Sequence, residues 1–215
     1  MAVVVSGLKK STDMFKNLFK KKEIINHKEQ LAEWEKNGRP LPPPHIVKQM
    51  AIEECLRKFH TEILVETGTY LGDMVEAQRD HFKTIYSIEL SEKLFNKAKK
   101  RFKDHLHIKI LHGDSGTVLN KLMNEIDKPA LFWLDGHYSH GMTAKGEKEC
   151  PVPEELKAIL KSPLPHIILI DDARLFNGTN DYPTIEQITE IIKSNNRQYL
   201  VEIKDDIIHL TPSHI

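Results

Sequence analysis

At 215 residues with 40% apolar and 29% charged residues, the chain has the length and composition of one α/β-sized globular domain with an appendage, not of a disordered or membrane-spanning chain. Net charge is zero but unevenly spread: residues 1–60 carry 12 Lys and Arg against 7 Asp and Glu, and residues 61–215 carry 19 against 24. An acidic body argues against a broad nucleic-acid surface, while the basic end could touch anionic lipid, RNA or a partner. Cys55 and Cys150 stand far apart and supply neither a disulfide framework nor a thiolate pair for zinc, and the first ten residues lack the apolar stretch of a signal peptide, so a cytoplasmic protein is expected.

Residues 8–35 read as a helix, with Leu8, Phe15, Leu18 and Phe19 on one side and lysines mostly elsewhere. Residues 1–37 are therefore expected to form a basic extension that either contacts a membrane surface peripherally or packs as an ordinary helix. The run Gly38-Arg39-Pro40-Leu41-Pro42-Pro43-Pro44 cannot continue a helix and marks a linker over 38–44, with a compact domain over 45–215.

From there strand and helix alternate. A helix is predicted over 45–59, a strand over 62–66, a helix over 71–81, a strand over 84–89, and a helix from a Ser91 cap to 104. A strand over 106–112, a helix over 115–124 and an apolar strand over 130–134 follow. Pro153 opens another helix, then come a strand over 166–170, a helix over 183–194 and a closing pair over 198–204 and 207–210. Five strand–helix repeats predict a Rossmann-like, doubly wound sheet, mostly parallel, with helices on both faces. The last two strands meet at Asp205-Asp206, too short for a crossover, so the final strand is expected to run antiparallel.

Ligands of such sheets bind beyond the carboxyl ends of the strands. Nearly every strand delivers a carboxylate there. Glu66-Thr67-Gly68-Thr69-Tyr70-Leu71-Gly72 leaves a strand and enters a helix, and its glycines allow a sharp turn and close backbone approach. Glu89, 21 residues after Gly68, is placed to accept from a ribose diol. A nicotinamide enzyme would also put an acid there, but Tyr70 stands at the middle position of the G-x-G-x-x-G that a dinucleotide pyrophosphate requires. Asp114 is placed to accept from an adenine amine, with the Ser115 N–H facing a ring nitrogen. Each of these residues also suits a plain structural role, Asp114 above all as a helix cap.

With these residues in hand, the run from about 62 to 210 resembles the class I S-adenosylmethionine-dependent methyltransferases. The form of the loop from Glu66 through Gly68 and Tyr70 to Gly72 is similar to that of the catechol O-methyltransferase group. The resemblance implies that this loop passes beside the methionine moiety, that Glu89 binds the ribose, and that Asp114 and Ser115 bind adenine.

Asp135 ends the fourth strand, and Asp171-Asp172 end the fifth. Three acids at one corner either share protons or hold a hard cation such as Mg²⁺, which would lower the pKa of a bound hydroxyl. The metal-dependent catechol and macrolide-sugar O-methyltransferases place an Asp and an Asp-Asp or Asp-Asn pair at these two ends, so the resemblance implies Asp135, Asp171 and Asp172 as metal ligands. The catechol enzymes carry a lysine base shortly after the first aspartate. Here His137 and Tyr138 stand instead, and His137 is either the base or a polar loop residue. The 136–152 connection, with Gly136, Gly141 and Gly146, and the loop over 174–182 are expected to choose the acceptor.

The leading expectation is metal-assisted O-methylation of a small-molecule or glycan hydroxyl. Its rivals are a metal-independent N- or RNA methyltransferase and a nucleotide-binding scaffold without activity.

Overall fold

The computed structural model describes residues 25–136, 150–195 and 197–213. His137, Tyr138, His140, Gly141, Gly146 and the apolar and basic stripes of residues 8–22 lie outside the described residues. The chain forms two units, Met1–Lys48 and Gln49–Ile215.

In the first unit residues 25–36 are helical (α1). The Trp34 indole donates to the Pro40 carbonyl at 2.8 Å, and the Arg39 guanidinium lies 5.3 Å from the centre of its ring. The proline-rich 38–44 stretch takes no regular structure, as its missing N–H groups require.

Helix α2 (His45–Phe59) leads into the sheet. Then follow β1 (Ile63–Thr67), α3 (Asp73–Gln78), β2 (Thr84–Glu89), α4 (Glu92–Arg101), β3 (Ile108–His112), α5 (Ser115–Leu122) and β4 (Leu131–Leu134). The order closes with α6 (Val152–Leu160), β5 (Ile167–Ile170), a 3₁₀ turn (Ala173–Leu175), α7 (Ile185–Ser194), β6 (Tyr199–Lys204) and β7 (Ile207–Pro212). The seven strands lie in the order β3-β2-β1-β4-β5-β7-β6. The first five are parallel, and β7 runs antiparallel to both β5 and β6. The expected doubly wound architecture and its antiparallel last strand are both present.

Most helix starts are written in local chemistry. The Ser91 hydroxyl accepts from Leu94 N, the Asp114 carboxylate from Thr117 N, and Thr184 and Gln187 form a reciprocal capping box. Lys99, Lys100 and Arg101 close α4, where cations complement the helix dipole. Helix α3 begins later than predicted because left-handed Gly72, with φ of 81°, is its N-cap.

Strand residues alternate between two apolar layers. Val65, Phe132, Leu134, Ile168 and Ile170 face α5, α6 and α7, while Leu64, Leu131, Trp133, Ile167 and Leu169 face α2, α3 and α4. Both faces are dry, which is why β4 and β5 are apolar throughout. Each fully buried large side chain contributes about 1.5–3 kcal/mol.

One polar group sits at the base of the first layer. His166 is fully buried; its Nδ1 accepts from Ala130 N at 3.2 Å and its Nε2 lies 2.9 Å from the Ser162 hydroxyl. Accepting at Nδ1 leaves the proton on Nε2, so the ring is neutral. Burial, aided by the Arg197 charge, pulls its pKa from 6.5 down to about 4. The unfolded chain therefore takes up this proton first as pH falls. The stability His166 contributes is complete above pH 6.5 and is lost as pH drops through 4, a loss of about 3 kcal/mol at full protonation. Denaturant unfolding of wild type and His166→Gln between pH 7.5 and 4 measures it: their difference should shrink by that amount, and parallel curves would remove His166 from the acid response.

Candidate functional site

The strand order reverses between β1 and β4, so the crevice of this sheet opens where Gly68 and Asp135 leave their strands. The two exits touch. Gly68 has φ of 84°, and a Cβ on it would lie 2.3 Å from the Asp135 carbonyl oxygen. Asp135 N donates to Thr67 O at 3.2 Å, and a Cβ on Gly136 would lie 3.1 Å from Thr67 Oγ1 and 3.3 Å from Glu155 Oε1. Only glycine permits this approach at Gly68.

The turn after β1 is held in shape by the strand beside it. Gly68 N and Thr69 N both donate to Ile88 O. The Tyr70 N–H donates to Glu89 Oε2 at 2.7 Å, although Tyr70 has a φ of 49° that non-glycine residues rarely adopt. Glu89 Oε1 accepts from Ser91 N at 2.8 Å, and Glu89 is only 5% exposed. Its carboxylate is thereby fixed at the end of β2, one oxygen on the glycine turn and the other on the start of α4.

Beneath this turn Glu66 is buried opposite Ser87, its register partner on β2. The Ser87 hydroxyl donates to Glu66 Oε2 and is in turn hydrogen-bonded to the Thr69 hydroxyl. Burial pushes the Glu66 carboxyl up to about 8, against the pull of the Ser87 hydrogen bond and with the help of the Asp135, Glu89 and Asp73 charges. Glu66 is thus largely uncharged at neutral pH and braces the loop from below.

Asp114 caps α5, its Oδ1 accepting from Thr117 N at 3.0 Å, and Ser115 is the first, buried residue of that helix. The structural role foreseen for Asp114 is the one it plays here, through one of its two oxygens.

The acidic corner differs from expectation. Asp135 and Asp171 do leave adjacent strands, with Asp171 N donating to Leu134 O at 3.0 Å. Asp171 Oδ1, however, accepts from Asp172 N at 2.9 Å, and Asp172, with φ of 56°, turns to an ion pair with Arg174 at 2.7 Å. Arg174 also pairs with Asp206, whose Oδ1 accepts from Arg174 N at 2.9 Å. Asp171 Oδ1 is thus turned to the backbone and Asp172 to Arg174. Among the described residues no three His, Cys, Asp or Glu side chains are arranged to hold a metal ion. Of the expected set, Asp135 and Asp171 leave adjacent strands, while Asp172 is ion-paired with Arg174, which also pairs with Asp206. His137, the expected base, lies outside the described residues.

Ser87 and Asp206 escaped the sequence reading. A serine between Tyr86 and Ile88 in the interior of the Thr84–Glu89 strand, in register with Glu66, was a usable signal. Nothing local marked Asp206 beyond its turn.

No family model and no curated protein matches the sequence. Solved structures do match in fold. An S-adenosylhomocysteine-bound methyltransferase of Podospora anserina is 16% identical, with a TM-score of 0.53, over 86% of this chain and 87% of that one. An O-methyltransferase of Bacillus cereus in complex with S-adenosylhomocysteine is 15% identical, with a TM-score of 0.57, over 86% and 90%. The N-methyltransferase NodS of Bradyrhizobium japonicum is 13% identical, with a TM-score of 0.53, over 80% and 98%. The fold is therefore one shared with methyltransferases that act on oxygen and on nitrogen. Among the described residues no helix is long and apolar enough to cross a membrane.

Proposed function

We propose that the chain is an S-adenosylmethionine-dependent methyltransferase whose donor lies across the carboxyl ends of β1, β2 and β3 and whose acceptor enters over β4 and β5. The observation that carries this reading is the Glu89 carboxylate, buried at the end of β2 and oriented by the N–H groups of Tyr70 and Ser91 beside the left-handed Gly68 turn. A fixed carboxylate one strand away from an open backbone turn suits a ribose diol next to an amino-acid moiety. Adenine recognition falls to the second Asp114 oxygen and the Ser115 N–H.

The bound donor supplies an electrophilic methyl group on a sulfonium. The residues of this chain hold that methyl in line with the acceptor, exclude water and receive the acceptor's proton. His137, in the connection that follows β4, is our candidate for the last task. The acceptor we propose is a hydroxyl of a small molecule or glycan. A divalent cation such as Mg²⁺ would need the three strand-end aspartates to converge, and with Asp172 paired to Arg174 they do not fit that ligand set, so no step is drawn through an ion.

Calorimetry with S-adenosylhomocysteine tests the reading. Wild type should bind, and Glu89→Ala should lose about 1.5–3 kcal/mol of binding, the range for charge-assisted hydrogen bonds. No binding by wild type would end the proposal. In a screen of hydroxyl acceptors, turnover should persist in excess chelator; its loss would return the aspartates to a metal site.

A further inference from the structure

The glycine turn is gripped from outside the crevice by the end of α4. Gly72 caps α3 with no side chain of its own, and the space beside it is filled by Phe102: a Cβ on Gly72 would lie 2.8 Å from that ring. The Arg101 guanidinium stands over the same ring, 5.3 Å from its centre. Its Nη1 donates to the Leu71 carbonyl at 2.6 Å and to Asp73 Oδ1 at 2.8 Å, and its Nη2 lies 3.7 Å from Glu76 Oε2. The planar guanidinium fork therefore spans the turn, Nη1 binding both the residue before Gly72 and the residue after it while Nη2 faces Glu76.

We infer that Arg101 is a positioning residue for the methyl-donor site, an assignment that rests on the reading of that site given above. The turn carries a strained Tyr70 whose N–H must meet Glu89, so the backbone on either side of it has to be held. Glu89 holds the entry to the turn, and Arg101 holds its exit. Because the Arg101 side chain is 36% exposed, its ion pairs add little to global stability. Its effect falls on the shape of the turn and hence on the affinity of whatever the turn receives.

The experiment combines calorimetry with S-adenosylhomocysteine and amide hydrogen exchange on wild type, Arg101→Gln and Arg101→Lys. Arg101→Gln should bind roughly tenfold more weakly, and its ligand-free amides at Tyr70, Leu71 and Asp73 should exchange roughly tenfold faster, while the midpoint of thermal unfolding moves by only about 2 °C. Arg101→Lys keeps the charge beside Asp73 but lacks the fork, and should fall between the two. Unchanged affinity in Arg101→Gln would overturn the assignment, as would faster exchange spread evenly over the whole sheet. If wild type fails to bind S-adenosylhomocysteine, the proposed function falls, yet the local exchange comparison still decides whether Arg101 holds the turn.

Discussion

Gly68→Ala is expected to abolish S-adenosylhomocysteine binding and to destabilise the domain by about 3 kcal/mol or more. Two costs combine. The first is conformational, since an L side chain at φ of 84° is disfavoured by about 1 kcal/mol. The second is steric: the new methyl would meet the Asp135 carbonyl oxygen at 2.3 Å, and the obstacle is backbone, which cannot swing aside like a flexible side chain. The β1 and β4 exits would have to separate, and with them the floor of the crevice. Gly38 offers an internal control, because its φ is 80° and nothing lies within 4 Å of a Cβ there. Gly38→Ala should therefore cost only the conformational part, about 1 kcal/mol. Denaturant unfolding compares the two, and equal costs would show that the contact with Asp135 carries no weight.

Glu66→Gln is the second large effect, and it appears as a change in pH dependence. The folded pKa of about 8 lies above the ordinary 4.5, so the folded protein holds this proton more tightly than the unfolded chain does. The stability due to Glu66 is complete below pH 4.5 and drains away as pH rises through 8, by about 5 kcal/mol at full ionisation. Glutamine can still accept from the Ser87 hydroxyl and never ionises. The variant should be close to wild type at pH 5 and several kcal/mol more stable at pH 9. If both proteins lose stability in parallel between those pH values, the buried carboxyl is not what titrates. Its window opposes that of His166, so each substitution isolates one limb of the stability profile.

Much of this molecule could be read from its residues in order. The Thr84–Glu89 strand ends where its carboxylate does, and Ser91 caps α4 as its side chain and the following apolar spacing require. The Asp205-Asp206 hairpin forced the reversal of β7, because two residues with φ of 51° and 65° close a tight turn and leave no room for a crossover. The places of Gly68 and Glu89 at the exits of β1 and β2 were likewise legible. What stayed hidden depends on the direction a side chain takes rather than on its position. Asp171 and Asp172 look like a pair of ligands in the sequence, but the left-handed backbone of Asp172 sends it to Arg174. Arg101 reads as an ordinary helix-ending cation. Its bond to Leu71, thirty positions earlier, exists only because β2 and α4 return the chain to the β1 exit.

The tie between Asp206 and the exit of β5 also fixes an order of events during synthesis. Ala173 N donates to the Asp206 carbonyl at 2.7 Å, and β7 enters the sheet between β5 and β6, which are both made before it. A nascent chain that has emerged through β5 already possesses the β1, β2 and β3 exits and the glycine turn. Arg174 can pair with Asp172 at the β5 exit, but its second partner, Asp206, arrives only when the last hairpin inserts. On the function proposed above, the side of the crevice that would hold the methyl donor is thus assembled before the wall against which an acceptor would be placed.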